Sequence, residues 1–428
     1  MLTTPPETVT KVTFCVYDKP DSVGGPVTWI QRLVPALRDR GVEPRCLFLL
    51  HWGETGPALD SLRAEGIDCK WITAPVRTEE RVRWILDHLI EDPPDVFVPN
   101  LVVAGYYAGR WAREAGIPTI GVLHSDDDYY RAIQDEFIFG NPKYRVSSVV
   151  CVSKELERQV VSREPVGVRV ERIPYGVPFP AGRVGPPENI MRIVYVGRLA
   201  QEQKRILDVT RVLCGVVRDV PGTEAVIYGD GPEKDKVLEI LATDGADLPV
   251  HFAGGVPSES ILSELLSAHV ILLLSDYEGL PIALLEAMAC GCVPVCLKMR
   301  SGISELIEDR VSGILVDKDD EVSGAIEQLR ANQEQWRAIS EQARMKASEF
   351  STDRCADAWT SILNETRANN APGPIRSPSR LRLPRANLAL ESPEQREKLP
   401  GLVRQAYGAA RILAGRLRRI VFKSAASR

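Results

Sequence analysis

From about residue 11 the chain alternates short apolar runs with stretches whose apolar residues recur at helical spacing. KVTFCVY (11–17) reads as a buried strand. CLFLL (46–50), DVFVP (95–99), TIGVLH (119–124) and VSSVVCV (146–152) read as further strands, with helical stretches such as 78–90 and 102–115 between them. Behind Gly24-Gly25-Pro26, the spacing of Val27, Ile30, Val34 and Leu37 predicts a helix entered through a proline at a tolerated first-turn position. Pro35 predicts a kink or break inside it. The rhythm restarts at MRIVYVG (191–197) and continues through EAVIYG (224–229), VHFAG (250–254), HVILLLS (269–275), VPVCL (293–297) and GILV (313–316). Short continuous apolar strands alternating with helices predict parallel sheet covered on both faces.

The rhythm breaks across Pro178–Pro187, which predicts two Rossmann-like α/β domains, 11–182 and 183–350. A last helix of the globular body is expected at 351–366. A Pro-, Ser-, Asn- and Arg-rich stretch follows, so 367–398 reads as a linker. In 399–423 apolar Val403, Ala406, Ala410, Leu413, Leu417 and Ile420 lie on one helical face, while Arg404, Arg411 and Arg418 fall seven apart on another. Such a basic amphipathic helix suits an anionic membrane surface, or docking on the body or on a second copy of the chain.

Charge sharpens this division. Residues 371–428 hold 13 Lys and Arg against 3 Glu, although the whole chain of 428 residues carries a formal charge of -5. A mildly acidic body argues against nucleic acid as a partner, and the basic end points to an acidic surface. The nine cysteines are scattered, mostly in apolar runs, and no apolar leader precedes them, so reduced thiols and a cytoplasmic setting are expected. Cys290, Cys292 and Cys296 lie close together but lack a second ligand group at zinc-site spacing, and read as small core thiols. No apolar run approaches the roughly 20 residues that a spanning helix needs.

The chemistry concentrates in SDYEGLPIALLEAMACGCVPV (275–295), directly after a buried strand. Ligands bind at the carboxyl ends of parallel strands. Gly279 removes side-chain bulk, Pro281 opens a helix and Gly291 stops it. Free N–H groups from Gly279 to Ala283 suit a diphosphate or a sugar oxygen. Glu286, just over a turn into the helix, could accept hydrogen bonds from a ribose, and Glu278 from a sugar ring. Asp126-x-Asp128 reads as a helix start, where carboxylates are favoured, rather than as a metal site. GDG (229–231) lacks the spacing of a dinucleotide fingerprint.

Glu278-x7-Glu286 resembles the E-x7-E signature of retaining glycosyltransferases of the GT-B fold, and its surroundings resemble glycosyltransferase family 4. Other segments agree in order: RIPYGVP (172–178), VYVGRLAQEQKR (194–205), YGDGPEKDKV (228–237), VHFAGGV (250–256) and SGISELIEDRVSGILV (301–316). The resemblance covers about residues 11–366. It implies two Rossmann-like domains facing across a cleft, the second holding the donor nucleotide.

It also implies roles. Arg198 and Lys204 would neutralise the donor diphosphate, Glu286 would hold the ribose, and Glu278 would contact the transferred sugar. Gly279 and Leu280 would donate N–H bonds, and the loop ending at Val256 would contact the base. Gly24 and Gly25 would approach the phosphates or acceptor, and His124 the donor sugar. No metal or other cofactor is implied. One departure is clear: many relatives carry Lys-Gly where this chain has Lys204-Arg205, with one extra residue before the lysine.

The expected function is retaining transfer of a sugar from a nucleotide-diphosphate donor, UDP first and GDP second, to an acceptor that the residues do not identify; the basic tail would suit a lipid-linked or cell-envelope glycan at the inner membrane face. The alternatives are a nucleotide-sugar epimerase of the same fold and a non-catalytic sugar-nucleotide-binding or scaffold protein.

Overall fold

The computed structural model describes residues 9–20, 24–75, 77–257, 260–299, 301–368, 372–384 and 390. Among them the chain forms two parallel-sheet α/β lobes. The first contains β1 (Thr10–Asp18), β2 (Val42–Leu50), β3 (Asp68–Thr73), β4 (Val96–Asn100), β5 (Thr119–Leu123), β6 (Ser148–Cys151) and β7 (Arg169–Arg172). Their spatial order is β3-β2-β1-β4-β5-β6-β7. The second contains β8 (Met191–Val196), β9 (Thr223–Tyr228), β10 (Val250–Gly254), β11 (Val270–Leu273), β12 (Val293–Leu297) and β13 (Ile314–Val316), in the order β10-β9-β8-β11-β12-β13. Both orders reverse direction once, between β1 and β4 and between β8 and β11, as in doubly wound folds.

Two strands escaped the apolar pattern, and both are edge strands. β3 carries Asp68 and Lys70, and β7 carries Arg169, Glu171 and Arg172. An edge strand is covered on fewer sides and needs no continuous apolar run. Helix Gly25–Arg38 is not broken at Pro35, which lies inside it. Proline removes a single N–H bond there. The flanking Leu33, Val34 and Leu37 are buried, and the Pro35 carbonyl still accepts from the Asp39 N–H at 3.0 Å.

The chain passes between the lobes after β7 and returns at the end. Helix Thr352–Ala368 packs on the first lobe, where the Trp359 ring lies 6.2 Å from Phe14 and 5.6 Å from Trp29. Arg40 pairs with Asp353 at 2.9 Å and Asp357 at 2.6 Å, and Thr10 Oγ1 donates to Asn364 at 2.8 Å. The stretch read as a linker is docked over 372–384. Ile375 is buried, Leu381 and Leu383 pack on the core, and the Gly373 N–H donates to the Ala115 carbonyl at 2.6 Å. These apolar residues, spaced among prolines and arginines, find cover on the first lobe. The basic helix expected at 399–423 lies outside the described residues. No described helix is long and apolar enough to cross a membrane.

Candidate functional site: the crevice between the lobes

The sheet of the second lobe reverses between β8 and β11, and the segments carrying the expected cations and carboxylates leave those two strands. They are stapled together. The Asp276 N–H donates to the Gln203 carbonyl at 2.9 Å, and Gln203 Nε2 donates to the Tyr277 carbonyl at 3.2 Å. The staple brings Lys204 Nζ to 2.6 Å from Glu278 Oε1, with the two side chains 16% and 6% exposed. A pair this far from water holds both charges in one geometry. Arg198 is exposed, and its guanidinium has no hydrogen-bonding or ionic partner among the described residues.

Glycines let the surrounding loops approach. A Cβ on Gly229 would lie 1.9 Å from the Gly197 carbonyl oxygen, and one on Gly231 would lie 2.6 Å from that of Leu199. Both have positive φ, 145° and 157°. The GDGP turn thus seats the loop that presents Arg198. Gly229 also donates to the Gly254 carbonyl at 2.7 Å, which brings in the loop holding half-buried Val256. Arg205 stands in the left-handed region, at φ 52° and ψ 39°, a conformation that favours glycine. Its guanidinium pairs with Asp319 and donates to the Leu274 carbonyl at 3.3 Å. This pairing ties the strained residue to two other elements.

Helix Ile282–Cys290 starts at Pro281 and ends at Gly291, which takes φ 89°. Eight of its residues, Glu286 among them, are buried. Among the described residues, the N–H groups of Gly279, Leu280, Ile282 and Ala283 have no acceptor. They form a positive helix start beside Glu278. Leu280 is buried.

The first lobe closes on this helix start. A Cβ on Gly279 would lie 2.0 Å from the His124 carbonyl oxygen, and one on Gly302 would lie 2.0 Å from the Gly279 carbonyl oxygen. Gly25 faces Ile282, whose Cδ1 is 3.4 Å from the position a Cβ would take, and Gly24, at φ 154°, precedes the helix. Across the same interface Arg32 Nη2 donates to Glu286 Oε1. Burial raises the Glu286 pKa, and Arg32 opposes the rise. Glu305 makes a second link between the lobes, accepting from the Lys154 N–H at 2.8 Å and pairing with Arg172 at 3.3 Å.

The resemblance assigned the His124 side chain to the donor sugar. The structure seats that ring inside the first lobe, 4% exposed. Nε2 is 2.6 Å from Asn100 Oδ1, and Nδ1 is 2.6 Å from the Tyr175 hydroxyl. Asn100 Oδ1 can only accept, so Nε2 carries the proton and Nδ1 accepts from Tyr175. Burial lowers the His124 pKa to about 3. It is the main-chain carbonyl of His124 that meets the second lobe. Asp127 caps helix Asp128–Phe137 by accepting from the Tyr130 N–H, and Asp126 pairs with Arg131 at 2.8 Å. Cys290, Cys292 and Cys296 are buried free thiols.

Arg32, Asn100 and Tyr175 were not singled out from the sequence. Tyr175 lies within the RIPYGVP segment, and Asn100 is the last residue of β4. Arg32 carries no local signal, since it is one polar residue on an amphipathic helix.

The arrangement gathers cations, two carboxylates and N–H groups that have no acceptor among the described residues around one helix start. It suits a ligand with an anionic centre and hydroxylated ends.

The model described as Glycosyltransferase Family 4 matches residues 23–179, and that described as Glycosyl transferases group 1 matches 182–346. Among similar proteins, a phosphatidylinositol N-acetylglucosaminyltransferase component from Arabidopsis thaliana is 28% identical over 186 residues, 42% of this chain and 41% of that protein. The GDP-mannose-dependent alpha-(1-6)-phosphatidylinositol dimannoside mannosyltransferase of Mycobacterium tuberculosis is 28% identical over 281 residues, 60% of this chain and 70% of that protein. The chain thus spans less than half of the first relative's length. In fold it is similar to Anabaena HepE, solved in complex with UDP and glucose, at a TM-score of 0.67 and 18% identity, covering 83% of this chain and 100% of that one. It is likewise similar to the lipopolysaccharide outer core galactosyltransferase WaaB in its apo form, at a TM-score of 0.61 and 18% identity, with the same coverage. The two tandem matches span most of the sequence and the lobes share the GT-B architecture: the chain belongs to the family-4 glycosyltransferases.

Proposed function

We propose that the protein transfers a sugar from a nucleotide-diphosphate donor, UDP-linked first and GDP-linked second, to an acceptor hydroxyl with retention at the anomeric carbon. The observation that carries this reading is the pairing of half-buried Lys204 with buried Glu278, beside the N–H groups of Gly279, Leu280, Ile282 and Ala283, which have no acceptor among the described residues. As the bond between the anomeric carbon and the phosphate oxygen breaks, negative charge gathers on the leaving diphosphate. Arg198, Lys204 and the helix start stabilise it. The acceptor oxygen bonds to the same face of the sugar, and its proton passes to the departing phosphate. Glu278 and Glu286 are each held by a cation, which suits them to binding hydroxyls rather than to attacking carbon.

In this reading Glu286 holds the ribose and Glu278 the transferred sugar, while Val256 borders the base. Gly24, Gly25 and the main chain of His124 border the reacting groups from the first lobe. Fixed cations supply the charge that a metal would otherwise bring, so turnover in the presence of a chelator is expected to be unchanged. The named activities of the Arabidopsis and Mycobacterium relatives support a lipid-linked or glycan acceptor. The basic pattern at 399–423 supports its presentation at an anionic membrane surface.

A thermal-shift panel of UDP, GDP, ADP and their sugars, on the wild type and on Lys204→Ala, tests the donor site. Stabilisation by one nucleotide, lost in the variant, supports the reading and names the base. No shift at millimolar concentration with any of them would overturn it. With a donor in hand, the anomeric configuration of the product tests retention.

A further inference from the structure

We propose that Arg32 is a positioning residue for the donor nucleoside. Reaching across from the first lobe, it fixes Glu286 so that ribose recognition is completed only when the lobes are closed. The inference rests on the reading of Glu286 as the ribose-binding carboxylate.

Arg32 lies two turns into helix Gly25–Arg38, and Glu286 lies one turn into helix Ile282–Cys290. These helices belong to different lobes, and their first turns meet where Gly25 faces Ile282. Both side chains are largely withdrawn from water, at 14% and 5% exposure. A carboxylate so placed would favour its neutral form without a cation, and Arg32 supplies one. The pairing is also one-sided. Oε1 of Glu286 accepts from Arg32, whereas Oε2 has no donor among the described residues. A carboxylate clamped at one oxygen and open at the other is oriented to accept from neighbouring hydroxyls. Because the clamp comes from the opposite lobe, opening the crevice would release it. Nucleoside affinity and lobe closure then become one equilibrium.

Titration calorimetry on the full chain, with UDP, GDP and their 2′,3′-dideoxy forms, tests this. With the nucleotide that binds the wild type, Arg32→Gln is expected to weaken affinity by about tenfold or more, as for a lost hydrogen bond to a charged group. The preference for ribose over dideoxyribose should shrink to the level of Glu286→Gln. Arg32→Lys, which keeps the charge, should restore part of both. In turnover the loss should fall on KM for the donor rather than on kcat. Wild-type affinity and an intact ribose preference in Arg32→Gln would overturn the inference while Glu286→Gln still weakened binding. Failure of the wild type to bind any of these nucleotides would overturn the underlying reading as well. Arg32→Lys guards against a glutamine variant that fails to fold, since a lysine variant without any recovery in a folded protein also counts against the clamp.

Discussion

Gly279 of the second lobe lies against the His124 carbonyl of the first so closely that a Cβ would stand 2.0 Å from the oxygen. Backbone packs on backbone at the point where the helix carrying Glu286 begins. Gly302 takes the next layer, donating its N–H to the Gly279 carbonyl at 3.1 Å. The closed arrangement of the lobes therefore depends on the missing side chain of Gly279.

Gly279→Ala should push the lobes apart at this point. We expect a cost of about 1–3 kcal/mol, typical of an overpacked contact, together with weaker nucleotide binding. Small-angle scattering and a thermal melt check this. An alanine variant with the wild-type envelope and melting temperature would show that the contact does not hold the closed form.

Lys204→Ala leaves Glu278 buried without its cation. Removing one partner of a buried pair costs about 3–5 kcal/mol. Because Lys204 is still 16% exposed, the lower end is expected. Lys204→Ala with Glu278→Gln should recover much of the stability but not the response to nucleotide. Thermal melts with and without nucleotide separate the two effects.

Arg205 adopts φ 52°, which favours glycine, and offsets that strain by its pairing with Asp319. Arg205→Ala loses the pairing and keeps the strain, whereas Arg205→Gly loses the pairing but relieves the strain. The alanine variant should be the less stable of the two by about 1 kcal/mol. Denaturant melts of the two variants decide it, and equal midpoints would mean that the turn relaxes without the arginine.

His124 ties stability to pH. Its folded pKa is depressed to about 3, below the unfolded value near 6.5. The unfolded chain therefore takes up a proton that the folded chain refuses, so stability should fall as pH drops from about 6.5 towards 3. His269, lowered to about 4 with its Nδ1 accepting from the Arg192 N–H, acts in the same direction. Melting temperatures of the wild type and His124→Gln between pH 7 and 5 check this. The variant should show the shallower slope, even if it starts lower for loss of packing.

The docked stretch 372–384 decides where to cut the chain in testing the tail. Ile375 and Leu390 are buried, so a deletion from 371 would expose the first lobe. Deletion of 391–428 should leave the melting temperature of the body near wild type and reduce sedimentation with vesicles containing anionic lipid. Unchanged partitioning would mean that the basic pattern at 399–423 is not the anchor.

The sequence by itself determined the two α/β lobes, the strands at their centres and the crevice segments. Those properties are written locally, in apolar runs, in Gly279 and Pro281 opening a helix, and in the eight-residue spacing of Glu278 and Glu286. Tertiary structure alone decided the rest. Edge strands β3 and β7 exist because neighbouring strands offer hydrogen bonds, not because their own residues form an apolar run. Helix Thr352–Ala368 and stretch 372–384 find their cover on a lobe built several hundred residues earlier. The partners of the site residues, Arg32 for Glu286 and Asn100 with Tyr175 for His124, lie 254, 24 and 51 residues away. Local periodicity records which face of an element is buried. It carries no record of which distant charge or backbone will meet that face once the lobes close.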